Sequence, residues 1–279
     1  MTLWQGLCHL PTSWHPPMGK LLGLFLFVVA RDRKKIARLN ISLCLQNLSS
    51  NDQKKILKNN FELLGKSIIE TGIAWFWSDA KIKRFIDYEI LGLDLLSTED
   101  SSNGNLIIFK HSQHLELDAR LLAINAEIYG VSRSHNSESM NKIQNKGRLS
   151  SIKDTADKNN PRQFIKWLKD GKNVLYAIDQ DYGWDHSVKL TFFGQETATI
   201  TSPKKIIDIT GSNLLFMNSY YKKNKIFLTL EAINSLGLNE KELAQKINDL
   251  MEEKILHHPM EYLWAHRRFK SILGKSFYK

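Results

Sequence analysis

His111 and Glu116 lie five residues apart, and their side-chain types and spacing suit acid–base chemistry. A neutral imidazole takes a proton from a hydroxyl near neutral pH, and a carboxylate on its other nitrogen fixes the tautomer and stabilises the imidazolium. Such a pair activates a hydroxyl for attack on an ester or thioester without a serine or cysteine nucleophile. These residues therefore predict an acyl-transfer centre.

Two simpler interpretations stand beside that prediction. In the first, His111 caps a helix and Glu116 is a solvated acid in the first turn, where it favours the helix dipole. In the second, His114 pairs with Asp118 at i,i+4, a spacing more typical of contacts on a helix surface. The spacing alone leaves these interpretations open.

The segments around the pair indicate how it is positioned. The apolar run 106–109 has the length and β-branched character of a buried strand, and leucines recur at helical spacing from Leu115 onwards. Within one helix, residues five apart point about 140° away from each other, so His111 and Glu116 meet only if the chain turns between them. A strand–turn–helix junction supplies that turn and directs the first helical amides at a developing oxyanion.

Strands alternate with helices along the rest of the chain. Strands are predicted at 105–110, 174–179, 214–220 and 225–230, and helices at 31–42, 52–77, 115–129, 161–170, 203–211 and 240–257. This alternation is typical of an α/β fold, with a layered mixed sheet flanked by helices.

Three further segments carry a family resemblance. Asp179 and Asp181 end a second apolar strand, Arg148 follows a glycine, and the tail contains Pro259-Met-Glu-Tyr followed by His266-Arg-Arg-Phe-Lys. From about residue 10 to the C-terminus, these motifs resemble, in order, those of the lipid A late acyltransferase family. The tail departs slightly from the usual Pro-Glu-Gln-Tyr signature.

The resemblance implies a glycerolipid-acyltransferase-like fold and specific roles for residues. It implies that His111 and Glu116 form the catalytic dyad and that no covalent acyl-enzyme, cofactor or metal is used. From the residues alone, Arg148 is equally well explained as half of a structural ion pair. The resemblance places Arg148 near the substrate. Two further sets are predicted to bind it: Asp179 and Asp181, which otherwise pair with Arg148, and Arg267 and Arg268, which contact anionic headgroups or are simply solvated.

The resemblance also implies the partners. The acyl donor is expected to be acyl carrier protein, the acceptor a hydroxyl of a lipid A precursor, and the location the cytoplasmic face of the bacterial inner membrane. Two alternatives stay open: an acyltransferase acting on another glycolipid or on a lysophospholipid, and a non-catalytic basic protein that binds the membrane surface.

Composition narrows the class of partner. The 279 residues include 39 Lys and Arg against 29 Asp and Glu, and the resulting charge of +10 attracts anionic partners. Nucleic acid is not expected, because the sequence has no zinc-finger spacing, aromatic RNA-binding motif or basic recognition helix. Cys8 and Cys44 are too few for a disulfide framework, which favours a reducing compartment, and no metal-ligand spacing is present.

The N-terminal segment suggests contact with a membrane. The ten apolar residues 21–30 are half of what a spanning helix needs, and a basic cluster follows at 31–35. Pro11, Pro16 and Pro17 argue against one simple helix through a bilayer, so an interfacial or re-entrant anchor is predicted. A signal peptide and a buried core helix are the alternatives. The expected organisation is a membrane-associating segment, 1–30, and a single acyltransferase domain, 31–279.

Overall fold

A mixed β-sheet forms the centre of the protein. The computed structural model describes residues 3–97, 103–132 and 138–279. Seven strands within these ranges form one sheet in the order β1-β9-β8-β2-β5-β3-β4, and β6 and β7 form a separate antiparallel hairpin. Neighbours in the large sheet run parallel except β8 and β9. The strands are β1 (Tyr88–Leu91), β2 (Asn105–Phe109), β3 (Ile128–Ser132), β4 (Thr155–Asp157), β5 (Asn173–Ala177), β6 (Ser187–Phe192), β7 (Gln195–Ile200), β8 (Asn213–Lys222) and β9 (Lys225–Ala232).

Helices cover both faces of the sheet. Helices α8, α9 and α10 pack on one face, α5 and α6 pack on the other, and the long helix α4 contributes to both apolar clusters. The predicted layered mixed sheet flanked by helices is therefore confirmed. The helices are α1 (Leu3–Cys8), α2 (His15–Val29), α3 (Arg31–Cys44), α4 (Ser50–Phe76), α5 (Asp79–Phe85), α6 (Leu115–Asn125), α7 (Glu138–Arg148), α8 (Pro161–Lys169), α9 (Ser202–Thr210), α10 (Glu240–His257) and α11 (Lys270–Leu273).

The central strand β2 fixes the position of the histidine. All five of its residues are buried, with β8 and β5 on either side and helices on both faces, and four of the five are apolar because such a strand has no face towards water. Leu106 and Ile108 pack on one face and Ile107 on the other, as the strand period of two requires. Phe109 pairs with Ala177 of β5. The residues two positions beyond this pair, 111 and 179, therefore leave the sheet together at one edge.

The N-terminal helices pack on α4. The prolines interrupt the segment as expected: α1 ends before Pro11, and α2 starts with prolines in its first turn. A methyl group added to Gly65 of α4 would lie 2.2 Å from backbone atoms of both Gly19 and Gly23, so glycine is needed for this close helix packing. Of the helices within the described residues, none combines the length and apolar composition that crossing a bilayer requires.

Some elements differ from the sequence prediction. The helix predicted over 115–129 ends at Asn125, because Ile128 and Val131 belong to strand β3, where their β-branched side chains pack well. Strands β1, β4, β6 and β7 were also not predicted. Strand β4 has only three residues, and the β6–β7 hairpin carries polar and charged side chains on its exposed face, so neither has a strong apolar pattern.

Candidate active site

Asp179 fixes the position of His111 at the carboxyl ends of strands β2 and β5. The backbone amide of His111 donates to Asp179 Oδ2 at 2.8 Å, and the His111 Nδ1 atom lies 2.5 Å from Asp179 Oδ1. The Asp179 side chain is 1% exposed, whereas the His111 side chain is 19% exposed. This geometry places the proton of a neutral His111 on Nδ1, against the buried carboxylate, and leaves Nε2 as the basic atom.

The two groups shift each other's pKa. Burial alone would lower the pKa of His111, but the Asp179 carboxylate outweighs it and the pKa lies above the ordinary 6.5. Burial alone would raise the pKa of Asp179, but the charge of His111 and the hydrogen bonds from it lower that pKa to about 2. Asp179 therefore stays ionised and stabilises the imidazolium form of His111.

Glu116 bonds Arg148 and Trp75, not His111 as predicted. The Nε atom of Arg148 lies 3.2 and 3.1 Å from its two oxygens, the Arg148 Nη2 atom also donates to it, and the indole of Trp75 donates at 2.9 Å. Burial would raise the pKa of Glu116, but Arg148 lowers it overall. The structure thus corrects the predicted geometry: Asp179 orients His111, because the β2–β5 register brings it there, while the first turn of α6 directs Glu116 at α7.

His114 lies in a sealed polar network and not on a helix surface. Its Nδ1 atom is 2.8 Å from Asp118 Oδ1, and its Nε2 atom is 3.1 Å from Glu261 Oε2. Burial alone would lower the pKa of His114, but the two carboxylates raise it to about 10. Asp118 also accepts the hydroxyls of Ser112 at 2.7 Å and Ser219 at 2.6 Å. This histidine is therefore a buried cation that serves the fold.

The C-terminal signature fixes the histidine loop. The amide of Leu263 donates to the His111 carbonyl at 3.0 Å, and the Gln113 amide donates to the Glu261 carbonyl at 2.8 Å. Ser112 and Tyr262 form an antiparallel bridge between these two bonds. The tail motif thus adds a short strand-like segment beside His111.

The remaining predicted substrate residues differ in exposure. Asp181 is 2% exposed, and it accepts the Ser271 amide at 2.8 Å and the Ser271 hydroxyl at 2.6 Å. Arg268 is 2% exposed and donates to the Ala198 carbonyl and to two threonine hydroxyls of β7. Arg267 is exposed. In these positions Asp181 and Arg268 brace the fold, and their predicted contact with substrate stays a prediction.

One residue that contacts His111 is not among the residues predicted from the sequence. The Gln180 Nε2 atom lies 3.3 Å from His111 Nε2. The alignment of the two strands could have indicated it. Phe109 pairs with Ala177, so the residues that follow each of them lie close together, and Gln180 comes directly after Asp179. Within the part of the chain that the structure describes, no group of three or more His, Cys, Asp or Glu residues is arranged to hold a metal ion.

Similar proteins of known family identify the family of this chain. The sequence profile of the bacterial lipid A biosynthesis acyltransferase family matches residues 1–271. The chain belongs to this family. Among lipid A relatives, the palmitoleoyltransferase of Escherichia coli (strain K12) is 32% identical over 260 residues, covering 91% of this chain and 84% of that one. The lauroyltransferase of the same organism is also 32% identical over 260 residues, with 91% and 83% covered.

A relative from a second genus agrees with these. The lipid A biosynthesis acyltransferase of Haemophilus influenzae (strain ATCC 51907 / DSM 11121 / KW20 / Rd) is 32% identical over 287 residues, covering 97% of this chain and 89% of that one. Among solved structures, the 1-acyl-sn-glycerophosphate acyltransferase of Thermotoga maritima superposes with a TM-score of 0.40 at 14% identity, covering 85% and 94%. That likeness is too distant to assign residues. The protein is an acyltransferase of the lipid A biosynthesis family.

Proposed function

We propose that this acyltransferase moves a fatty acyl chain from acyl carrier protein to a hydroxyl of a lipid A precursor at the cytoplasmic face of the bacterial inner membrane. The observation that carries the proposal is the His111–Asp179 pair in a chain of this family, since one imidazole nitrogen is bound by a buried carboxylate and the other is directed away from it. A general base of this kind activates a hydroxyl.

The proposed reaction needs no acyl-enzyme. The Nε2 atom of His111 takes the proton of the acceptor hydroxyl while the hydroxyl oxygen bonds to the thioester carbon. The first amides of α6, which begins at Leu115, receive the tetrahedral oxyanion. The carbon–sulfur bond then breaks and the thiolate leaves with the proton from His111. Ser112, the serine next to the base, is buried and donates to Asp118, which supports direct transfer.

Arg148 is proposed to face the acceptor. Its side chain is 21% exposed, and with Glu116 and Trp75 it lines a small pocket of about 10 Å³. A guanidinium has five donors, so it can hold Glu116 on one side and a phosphate or carboxylate of the acceptor on the other. In this proposal Glu116 positions Arg148, and Arg148 positions the acceptor.

The outer face of α2 supports attachment to the membrane surface. Leu21, Phe25 and Val28 of this helix are 70%, 59% and 65% exposed, because its glycine face is the one that packs on α4. The basic cluster at 31–35, with four cations and one aspartate, follows this helix directly in the chain. An apolar face with adjacent cations suits an interfacial helix on an anionic bilayer.

Reconstitution tests the proposal. The protein in phospholipid vesicles is supplied with a tetra-acylated, sugar-bearing lipid A precursor and a mixture of acyl carrier protein thioesters, and the lipid is analysed by mass spectrometry. The expected result is a mass gain of one acyl chain whose length identifies the donor. Folded, vesicle-bound protein that gives no gain would contradict lipid A as acceptor. Transfer that proceeds equally with acyl-coenzyme A alone would contradict the carrier protein as donor.

A second experiment tests the membrane contact. Replacing Phe25 by Asp puts a charge on the exposed face of α2 and is expected to reduce co-sedimentation with anionic vesicles at least tenfold. Leu236→Asp is the matched control, because Leu236 is 89% exposed in a loop outside this helix. Equal sedimentation of both variants would contradict attachment through α2.

A further inference from the structure

The segment that provides Asp179 also presents an amide to the base. Gln180 lies between two buried carboxylates, each fixed by its own partners: Asp179 by His111, and Asp181 by Ser271. The backbone amide of Asp181 donates to His266 Nε2 at 3.2 Å. Because hydrogen bonds fix the residues on both sides, the backbone of Gln180 is held in place. Its half-buried side chain is directed at His111.

The Gln180 amide contacts the nitrogen that reacts. Its Nε2 atom lies 3.3 Å from His111 Nε2, the atom opposite the Asp179 bond. A carboxamide has a donor end and an acceptor end, so Gln180 can donate to a neutral imidazole and, after rotation by 180°, accept from the imidazolium. The contact is therefore kept in both protonation states of the base.

We infer that Gln180 is a further catalytic residue: its amide contacts His111 Nε2 and, when the acceptor binds there, donates its hydrogen bond to the acceptor hydroxyl. The hydroxyl must approach the same nitrogen to lose its proton, so its oxygen enters within reach of the amide. A hydrogen bond donated by Gln180 to that oxygen turns its lone pair towards the thioester carbon. This inference rests on the proposed role of His111 as base.

The inferred role predicts that loss of the Gln180 amide changes the rates of acyl transfer and of thioester hydrolysis by different factors. Water is small and reaches the base in many orientations, whereas a lipid hydroxyl needs one orientation. Loss of the Gln180 amide should therefore reduce acyl transfer much more than the slow hydrolysis of the thioester donor. A residue that only supports the fold would reduce both rates together.

Two variants and one control test this. Gln180→Leu removes the amide and keeps the bulk, and it is expected to lower the transfer kcat about 10- to 100-fold, with a raised ratio of hydrolysis to transfer. Gln180→Glu adds a carboxylate beside Nε2 and should raise the pKa of His111, moving the rising limb of the pH–rate profile upward by about one unit. The control is Gln245→Leu on α10, whose amide binds Thr191 and Asp249.

The outcomes are distinguishable. A Gln180→Leu protein with unchanged kcat and an unchanged ratio of hydrolysis to transfer would overturn the inference, provided that His111→Ala is inactive. A Gln180→Glu profile that coincides with that of the wild type would also overturn it, and this measurement does not depend on how Gln180→Leu folds. If His111→Ala stays active, the proposed base itself fails, and the role of Gln180 fails with it.

Discussion

His111 and His114 lie three residues apart and both bond carboxylates, but they differ in the number of these partners and in exposure to solvent. His111 has one carboxylate, on Nδ1, and its side chain is 19% exposed; His114 has carboxylates on both nitrogens and is 1% exposed. A general base needs a nitrogen that no carboxylate occupies, and of these two histidines His111 alone has one, which supports its proposed role. The comparison teaches that an acid beside a histidine does not identify a base; access to its other nitrogen does.

The largest expected effect comes from His111 itself. His111→Ala removes the general base and should lower the rate of acyl transfer about 10³- to 10⁴-fold. Because the buried Asp179 carboxylate loses its imidazole partner, the free energy of unfolding should also fall, so the rate is measured on protein shown to be folded. The exposed His257 provides the control variant His257→Ala. A His111→Ala protein that transfers acyl chains at a tenth of the normal rate would contradict the assignment.

The opposite pattern is expected at His114. His114→Ala leaves Asp118 and Glu261 as buried carboxylates without their cation, and removing one partner of a buried pair costs about 3–5 kcal/mol of unfolding free energy. Urea unfolding measures this loss, with His9→Ala at an exposed position as control. If His114→Ala were as stable as the control but inactive, the roles of the two histidines would have to be exchanged.

A smaller effect follows from the pH dependence of the same network. The pKa of His114 is about 10 in the folded protein and 6.5 ordinarily, so its charge contributes stability that is full below pH 6.5 and lost as the pH rises through 10. The stability difference between the wild type and His114→Gln should therefore shrink across that interval. A difference that stays constant from pH 6.5 to 10 would show that His114 is not a buried cation.

Local signals in the sequence predicted much of the fold. Helix α10 begins and ends where predicted, because Asn239 and Glu242 form a capping box and the apolar period is regular. The apolar period also predicted that α6 continues to residue 129, although it ends at Asn125. The residues around Ile128 carry no sign that this residue pairs with a distant strand. Strand pairing is a long-range property, and short or half-polar strands do not reveal it.

The contacts among the predicted site residues depend on tertiary structure more than on the local sequence. The family resemblance implied that Glu116 pairs with His111, whereas in the structure Glu116 bonds Arg148 and His111 bonds Asp179. The carboxylate that bonds His111 in the structure, Asp179, is 68 residues away and is brought there by the parallel pairing of β2 with β5. Arg148 competes for Glu116, a contact that depends on how α7 packs and therefore on tertiary structure.

The pH–rate profile of two matched variants tests the central claim most directly. The pKa of His111 is raised chiefly by Asp179, with a smaller contribution from Glu116, and the base is active when neutral. The transfer rate should therefore rise with pH through a value above 6.5. Asp179→Asn should move this rise to lower pH and reduce the plateau about 10²- to 10⁴-fold. Glu116→Gln should move it less. A larger shift in Glu116→Gln than in Asp179→Asn would contradict the account.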